Sequence, residues 1–225
     1  CNEVSMNLVH TKSALAISRN SLKIKYLMPH EIDALTMAFQ RWFDSANSKG
    51  KQRCTRGRYW LTYLMLRFTG ARLGEVVQID DTADIDFRAA EVRIFTLKRR
   101  EGKPKRLVPI PDKVVSEIAT FLATEPNMRG RVFSVDANNF RKIFYARALD
   151  AGIFQESIDS STGQKSIHPH PHTLRHTRAI ELVRAGVPVP AVQSVLGHAS
   201  MLTTAEYVRL TNSEVKTILK EKGLI

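Results

Sequence analysis

The feature that most limits how this chain can fold is a change of period. Over most of its length apolar residues recur every three or four positions, the spacing of one helix face, whereas between residues 82 and 110 they alternate as in a strand. In 91–96 (EVRIFT) Val92, Ile94 and Thr96 share one face, with Arg93 and Phe95 on the other. Segment 106–110 (RLVPI) is a second short apolar run, and 98–104 (KRREGKP), carrying Gly and Pro, reads as the hairpin turn between them. With 83–87 (ADIDF) these runs predict a small three-stranded antiparallel sheet.

The flanking sequence is helical. Pro29 suits a first helical position, and Ile32, Leu35, Phe39, Trp42 and Phe43 form one face, so 29–43 reads as an amphipathic helix. Segment 59–69 repeats the pattern with Trp60, Leu61, Leu64, Met65 and Phe68. Further helices are expected over 112–123, 136–150, 172–185, 188–196 and 213–222, with Gly186 and Gly197 near ends. Residues 44–58 hold five basic residues and no bulky apolar one, and read as a loop, either an ordinary solvated one or one that meets phosphates. The fold class is therefore mainly α with a small three-stranded antiparallel β-sheet (α+β).

Charge narrows the partner. Lys and Arg number 34 against 22 Asp and Glu, a net charge of +12, which points to a polyanion, with nucleic acid first. No run approaches the roughly 18 apolar residues of a membrane span, and residues 1–10 lack the pattern of a signal peptide. Cys1 and Cys54 form neither a CxxC metal site nor a disulfide framework, so a reducing, cytoplasmic setting fits. Opening at Cys1 without Met is expected of a fragment with sequence missing upstream.

Four short strings carry chemistry. TGARLGE (69–75) places Arg72 just after a Gly, at the start of a helix. HTLRHT (172–177) sets His172 and Arg175 three apart, on one helix face. LGHAS (196–200) brings His198 out of a turn at Gly197, and nine residues later stands Tyr207 in TTAEYVRL. In this order, with a basic hairpin between the first and second, they resemble the active-site signature of the tyrosine recombinases, the phage-integrase family. The likeness runs over about residues 27–210, and LMPHEIDAL (27–35) is similar to the opening of that family's catalytic domain.

The resemblance implies a tyrosine-recombinase catalytic-domain fold over residues 27–225. It implies an enzyme of DNA recombination and integration that cuts and rejoins DNA through a 3′-phosphotyrosyl link. Arg72 and Arg175 would clamp the oxygens of the scissile phosphate, since guanidinium presents paired, directional donors. Removing one such preorganised donor typically costs about 3–4 kcal/mol. Tyr207 would be the nucleophile, His172 its candidate base and His198 a donor to the phosphate. A hairpin lysine would protonate the leaving 5′ oxygen; Lys98 is the choice, Lys103 the rival and Lys105 a distant third. Glu75, three residues after Arg72, would orient an arginine or cap charge locally, and Thr177 and Thr204 would be structural. No cofactor or metal is called for, because cationic side chains take the role a metal plays in many nucleases. The partner would be double-stranded DNA, with no membrane, and the protein a monomer in solution that forms a homo-tetramer on DNA. Residues 1–26, mildly helical over 6–19 and basic over 20–26, would be a linker or the remnant of an N-terminal DNA-binding domain.

Three other readings fit part of the sequence. Four of the seven histidines, His168, His170, His172 and His176, fall within nine residues, and His172 and His176 have a spacing that can ligate zinc. Zinc would leave Arg72, Arg175 and Tyr207 unexplained. A non-catalytic DNA-binding protein of the same fold would use the basic segments equally well. A type IB topoisomerase shares the nucleophile and the two arginines, although the chain is short for one. Apolar Val215, Ile218 and Leu219 in 213–222 would pack on their own domain or, by resemblance, on a neighbouring protomer.

Overall fold

Aromatic side chains from three helices meet at the centre of the molecule. Phe39 stacks on Tyr63 with ring centroids 4.1 Å apart, and Phe140 and Phe144 close on Phe39 at 6.4 and 6.1 Å. The computed structural model describes residues 25–46, 50–96, 105–158, 163 and 165–197. Helix α1 (Pro29–Asp44) begins with Pro29 at its first position and buries Ile32, Leu35, Phe39 and Phe43. Helix α2 (Lys51–Thr69) is the central helix, packed on α1. A four-residue helix, α3 (Leu73–Val76), follows, and then the sheet.

Strands β1 (Ile85–Asp86), β2 (Glu91–Phe95) and β3 (Lys105–Pro109) form an antiparallel sheet in that order. Val92 pairs with Ile85 on one side and Val108 on the other; Ile94 pairs with Arg106. Val92, Ile94 and Thr96 are buried, the face that alternation assigned to them. Helix α4 (Asp112–Thr124) returns across α2, and α5 (Ala137–Asp150) begins where the Asp136 carboxylate accepts from the Asn139 backbone N–H, an N-cap. A two-stranded hairpin, β4 (Gln155–Ile158) with β5 (Lys165–His168), precedes α6 (Pro171–Arg184) and α7 (Val189–Leu196). Tyr26, Ala179, Ile180, Val192 and Leu196 make a second, smaller core between these two helices. Arg67 on α2 and Glu181 on α6 tie the two cores by a two-point ion pair at 2.7 and 2.6 Å.

Three expectations change. The basic segment 44–58 is not all loop, because α2 starts at Lys51. Its arginines find partners that a loop reading does not supply: Arg56 donates to the Trp42 carbonyl at 2.7 Å, Arg53 lies over the Phe43 ring, and Arg58 donates to the carbonyls of Arg131, Val132 and Ser134. Gly57 breaks the apolar pattern because a Cβ there would stand 2.2 Å from Phe121. Strand 83–87 shortens to two residues, since Asp80 and Asp84 fold 80–84 into a turn and the Asp86 carboxylate accepts from the Arg88 and Ala89 amides. The β4–β5 hairpin was not foreseen; its strands are largely exposed and carry little apolar signal. The expected turn 98–104 and the segments 6–19 and 213–222 lie outside the described residues.

Candidate active site

Helix α2 ends at Gly70, whose φ of 64° is the left-handed conformation that glycine adopts without strain. The Leu196 side chain would stand 2.5 Å from a Cβ there, so the position has no room for one. Two residues on, Arg72 has extended backbone and begins α3. Glu75, one turn along, holds it at both ends: Oε2 accepts from the Arg72 backbone N–H at 3.1 Å, and Oε1 from Nη1 at 2.8 Å. Arg72 keeps 22% of its side chain exposed, and Glu75 none. Burial pushes the Glu75 carboxyl up, but bonds from Arg106 and Arg72 and the Arg106 charge outweigh it, and the group lies below the usual glutamate value.

The second element is α6. Pro171 stands at its first position, and the Thr173 hydroxyl accepts from the His170 backbone N–H at 3.1 Å. His172 therefore falls in the first turn, exposed, and Arg175 one turn further in, 2% exposed. Arg175 Nη1 donates to the Gly70 carbonyl at 2.9 Å and so fastens α6 to the turn that carries Arg72. Thr177, expected to be structural, accepts from the Leu27 N–H and donates to the Thr173 carbonyl, both at 2.9 Å.

Arg72 and His172 line one open cleft of about 350 Å³, with Leu73, Gly74, Arg141, Tyr145, His170 and Pro171. The rings of His170 and His172 stack at 6.2 Å, and His176 meets His172 edge-on at 4.8 Å. Burial, then the neighbouring Lys25 charge, pushes His170 below the usual histidine value, so it favours the neutral form near pH 7. Among the described residues no three His, Cys, Asp or Glu side chains group as a metal site would. Arg141 and Tyr145 are four apart on α5, and that spacing was the available signal for a shared face. Lys105 rests its amine over the Phe95 ring on the outer side of the sheet, 4.7 Å from the centroid. Lys98, Lys103, His198, Thr204 and Tyr207 lie outside the described residues.

The match to known proteins covers this whole arrangement. The phage integrase family model matches residues 25–214. The chain belongs to the phage integrase family. A tyrosine recombinase of Thermosipho africanus is 32% identical over 150 residues, 67% of this chain and 49% of that protein. Tyrosine recombinase XerA of Pyrococcus furiosus is 29% identical over 166 residues, 73% of this chain and 54% of its own. This phage-integrase chain thus spans about half the length of the curated relatives it matches. Its fold is similar to the crystal structure of XerA recombinase (TM-score 0.64, 21% identity, 90% of this chain and 64% of that one). It is also similar to the catalytic domain of bacteriophage HP1 integrase (TM-score 0.55, 21% identity, 88% of this chain and 95% of that one). The mainly helical fold with a small three-stranded antiparallel sheet is that of tyrosine-recombinase catalytic domains. No helix among the described residues is long and apolar enough to cross a membrane.

Proposed function

We propose that residues 27–225 are the catalytic domain of a site-specific recombinase that cleaves and rejoins double-stranded DNA through Tyr207. The observation that carries this reading is the joining of Arg72 and His172 in one cleft, with Arg175 bonded to the turn behind Arg72, in a chain of this family. DNA-bound complexes among the similar structures, including XerH recombinase with its difH substrate, support DNA as the partner.

Arg72 and Arg175 hold the non-bridging oxygens of the scissile phosphate and stabilise the charge that builds on them as the phosphorus becomes five-coordinate. The Tyr207 oxygen attacks phosphorus and gives its proton to His172. The bond from phosphorus to the 5′ oxygen breaks, and that oxygen takes a proton from Lys98. His198 donates to the phosphate. The product is a 3′-phosphotyrosyl strand and a free 5′ hydroxyl, and reversal of the same steps on a new 5′ hydroxyl reseals the DNA. One phosphodiester is exchanged for another, so rejoining needs no ATP. The enzyme works in the cytoplasm, as a monomer in solution and a homo-tetramer on DNA, with residues 1–26 a linker or the remnant of an N-terminal DNA-binding domain.

Relaxation of supercoiled plasmid in EDTA at low salt, with adducts trapped on a denaturing gel, tests this. Wild type is expected to relax the plasmid and form the adduct, and Tyr207→Phe to do neither. DNA binding without an adduct, on plasmid and on a nicked cognate site alike, would mark a protein that only binds DNA.

A further inference from the structure

Alternation along β3 turns Val108, and Ile110 beyond it, toward the core, and it turns Arg106 the same way. Arg106 is 9% exposed while its apolar neighbour Leu107 is 58% exposed, the reverse of what their chemistry favours. A guanidinium is held in such a place only when its donors are met. Each nitrogen of Arg106 meets a different part of the chain. Nη2 donates to Glu75 Oε2 on α3 at 2.7 Å, Nη1 to the Thr96 hydroxyl just past β2 at 2.9 Å, and Nε to the Val195 carbonyl near the end of α7 at 2.9 Å. Gly197 is fitted to the same group: its φ is 66°, and a Cβ there would stand 2.8 Å from Nη1 and 3.0 Å from Cζ.

Each partner leads to a candidate active-site residue. Glu75 holds Arg72 by its side chain and its backbone. Thr96 stands two residues before Lys98, and Val195 three residues before His198. Because the guanidinium is rigid and planar, its donors point in fixed directions. We propose that Arg106 is a positioning residue of the recombinase site: a single buried guanidinium sets Arg72 and the chain segments entering Lys98 and His198 in register. This rests on the strand-transfer reading above for its function, though not for its geometry. A lysine at 106 keeps the charge but has one nitrogen, and cannot reach the three partners in those directions.

The test uses the full chain with Arg106→Lys, Thr96→Val and, as a control on the exposed face of β3, Leu107→Thr. The first readout is the Nε–H NMR resonance of Arg72 without DNA, assigned by its loss in Arg72→Lys. It is expected to move in Arg106→Lys and stay in place in Leu107→Thr. The second is adduct formation on supercoiled plasmid at saturating and sub-saturating protein. Arg106→Lys is expected to slow the saturated rate about 100-fold, the effect of a small misplacement, while the half-saturating concentration changes less than about threefold. If Arg106→Lys does not fold, Thr96→Val serves in its place, with a shifted Arg72 resonance and a saturated rate down on the order of tenfold. An unmoved Arg72 resonance, or a saturated rate equal to wild type in a folded variant, overturns the proposal. Wild type that forms no adduct on any DNA, with the resonance shift present, defeats the strand-transfer reading and leaves Arg106 as the group that positions Arg72.

Discussion

Glu75 is a carboxylate in the protein interior, kept ionised by two arginines that use it differently. Arg106 answers its charge from inside the fold, and Arg72 reaches from it toward the cleft. Its carboxyl lies below the ordinary value of 4.5, so its contribution to stability is complete above that pH and is lost as pH falls through the lower folded value. Glu75→Gln keeps the shape without the charge. The stability difference between wild type and Glu75→Gln, from urea unfolding at a series of pH values, should be constant above about pH 5 and shrink below the ordinary glutamate range. A difference that grows toward acid would contradict the assignment. The role expected for Glu75 from its spacing, orienting an arginine, agrees with these bonds. Arg106 was missed because 106–110 was read as one apolar run; in the sheet, alternation along β3 turns Arg106 inward with Val108.

At the scale of elements, α6 is held to the rest of the domain through polar groups as much as apolar ones. Thr177 bonds the Leu27 amide 150 positions away in sequence, inside the fold. Thr177→Val retains the volume and leaves that buried N–H unsatisfied, so it should cost about 1–3 kcal/mol in denaturant unfolding; a loss under a few tenths would mean that the amide finds another acceptor. Elements with a strong period were legible in the sequence: α1, α4, α5, α6 and α7 appear within one residue of their expected bounds, as do β2 and β3, whereas α2 starts eight residues early. Loss of legibility had physical causes. The first two turns of α2 are stabilised by Arg53, Arg56 and Arg58 acting on groups distant in sequence, which no local pattern records. Strand β1 gave way to Asp side chains that bond nearby backbone in preference to a ladder. The β4–β5 hairpin is held by backbone pairing and a Lys165–Glu156 ion pair on an exposed surface, which leaves no apolar trace. Arg72, His172 and Arg175 were legible as candidates because short strings carry them, and the fold brings Arg72 and His172 to one cleft with Arg175 bonded to the Gly70 carbonyl.

For the molecule as a whole, a charge of +12 would set how it meets the DNA proposed as its partner. If six or more phosphates are neutralised on binding, affinity for a random duplex should fall roughly 10³-fold or more between 50 and 200 mM salt; affinity that hardly changes with salt would argue against a backbone-tracking face. Binding alone does not distinguish a recombinase from a passive partner, and the central claim is a bond. The measurement that tests it most directly is to trap the protein–DNA adduct, digest both components, and locate the nucleotide remnant by mass spectrometry. The account predicts a phosphodiester between a nucleotide 3′ oxygen and Tyr207, in the tryptic peptide that ends at Arg209. A remnant on any other side chain, or attached through its 5′ oxygen, would contradict it.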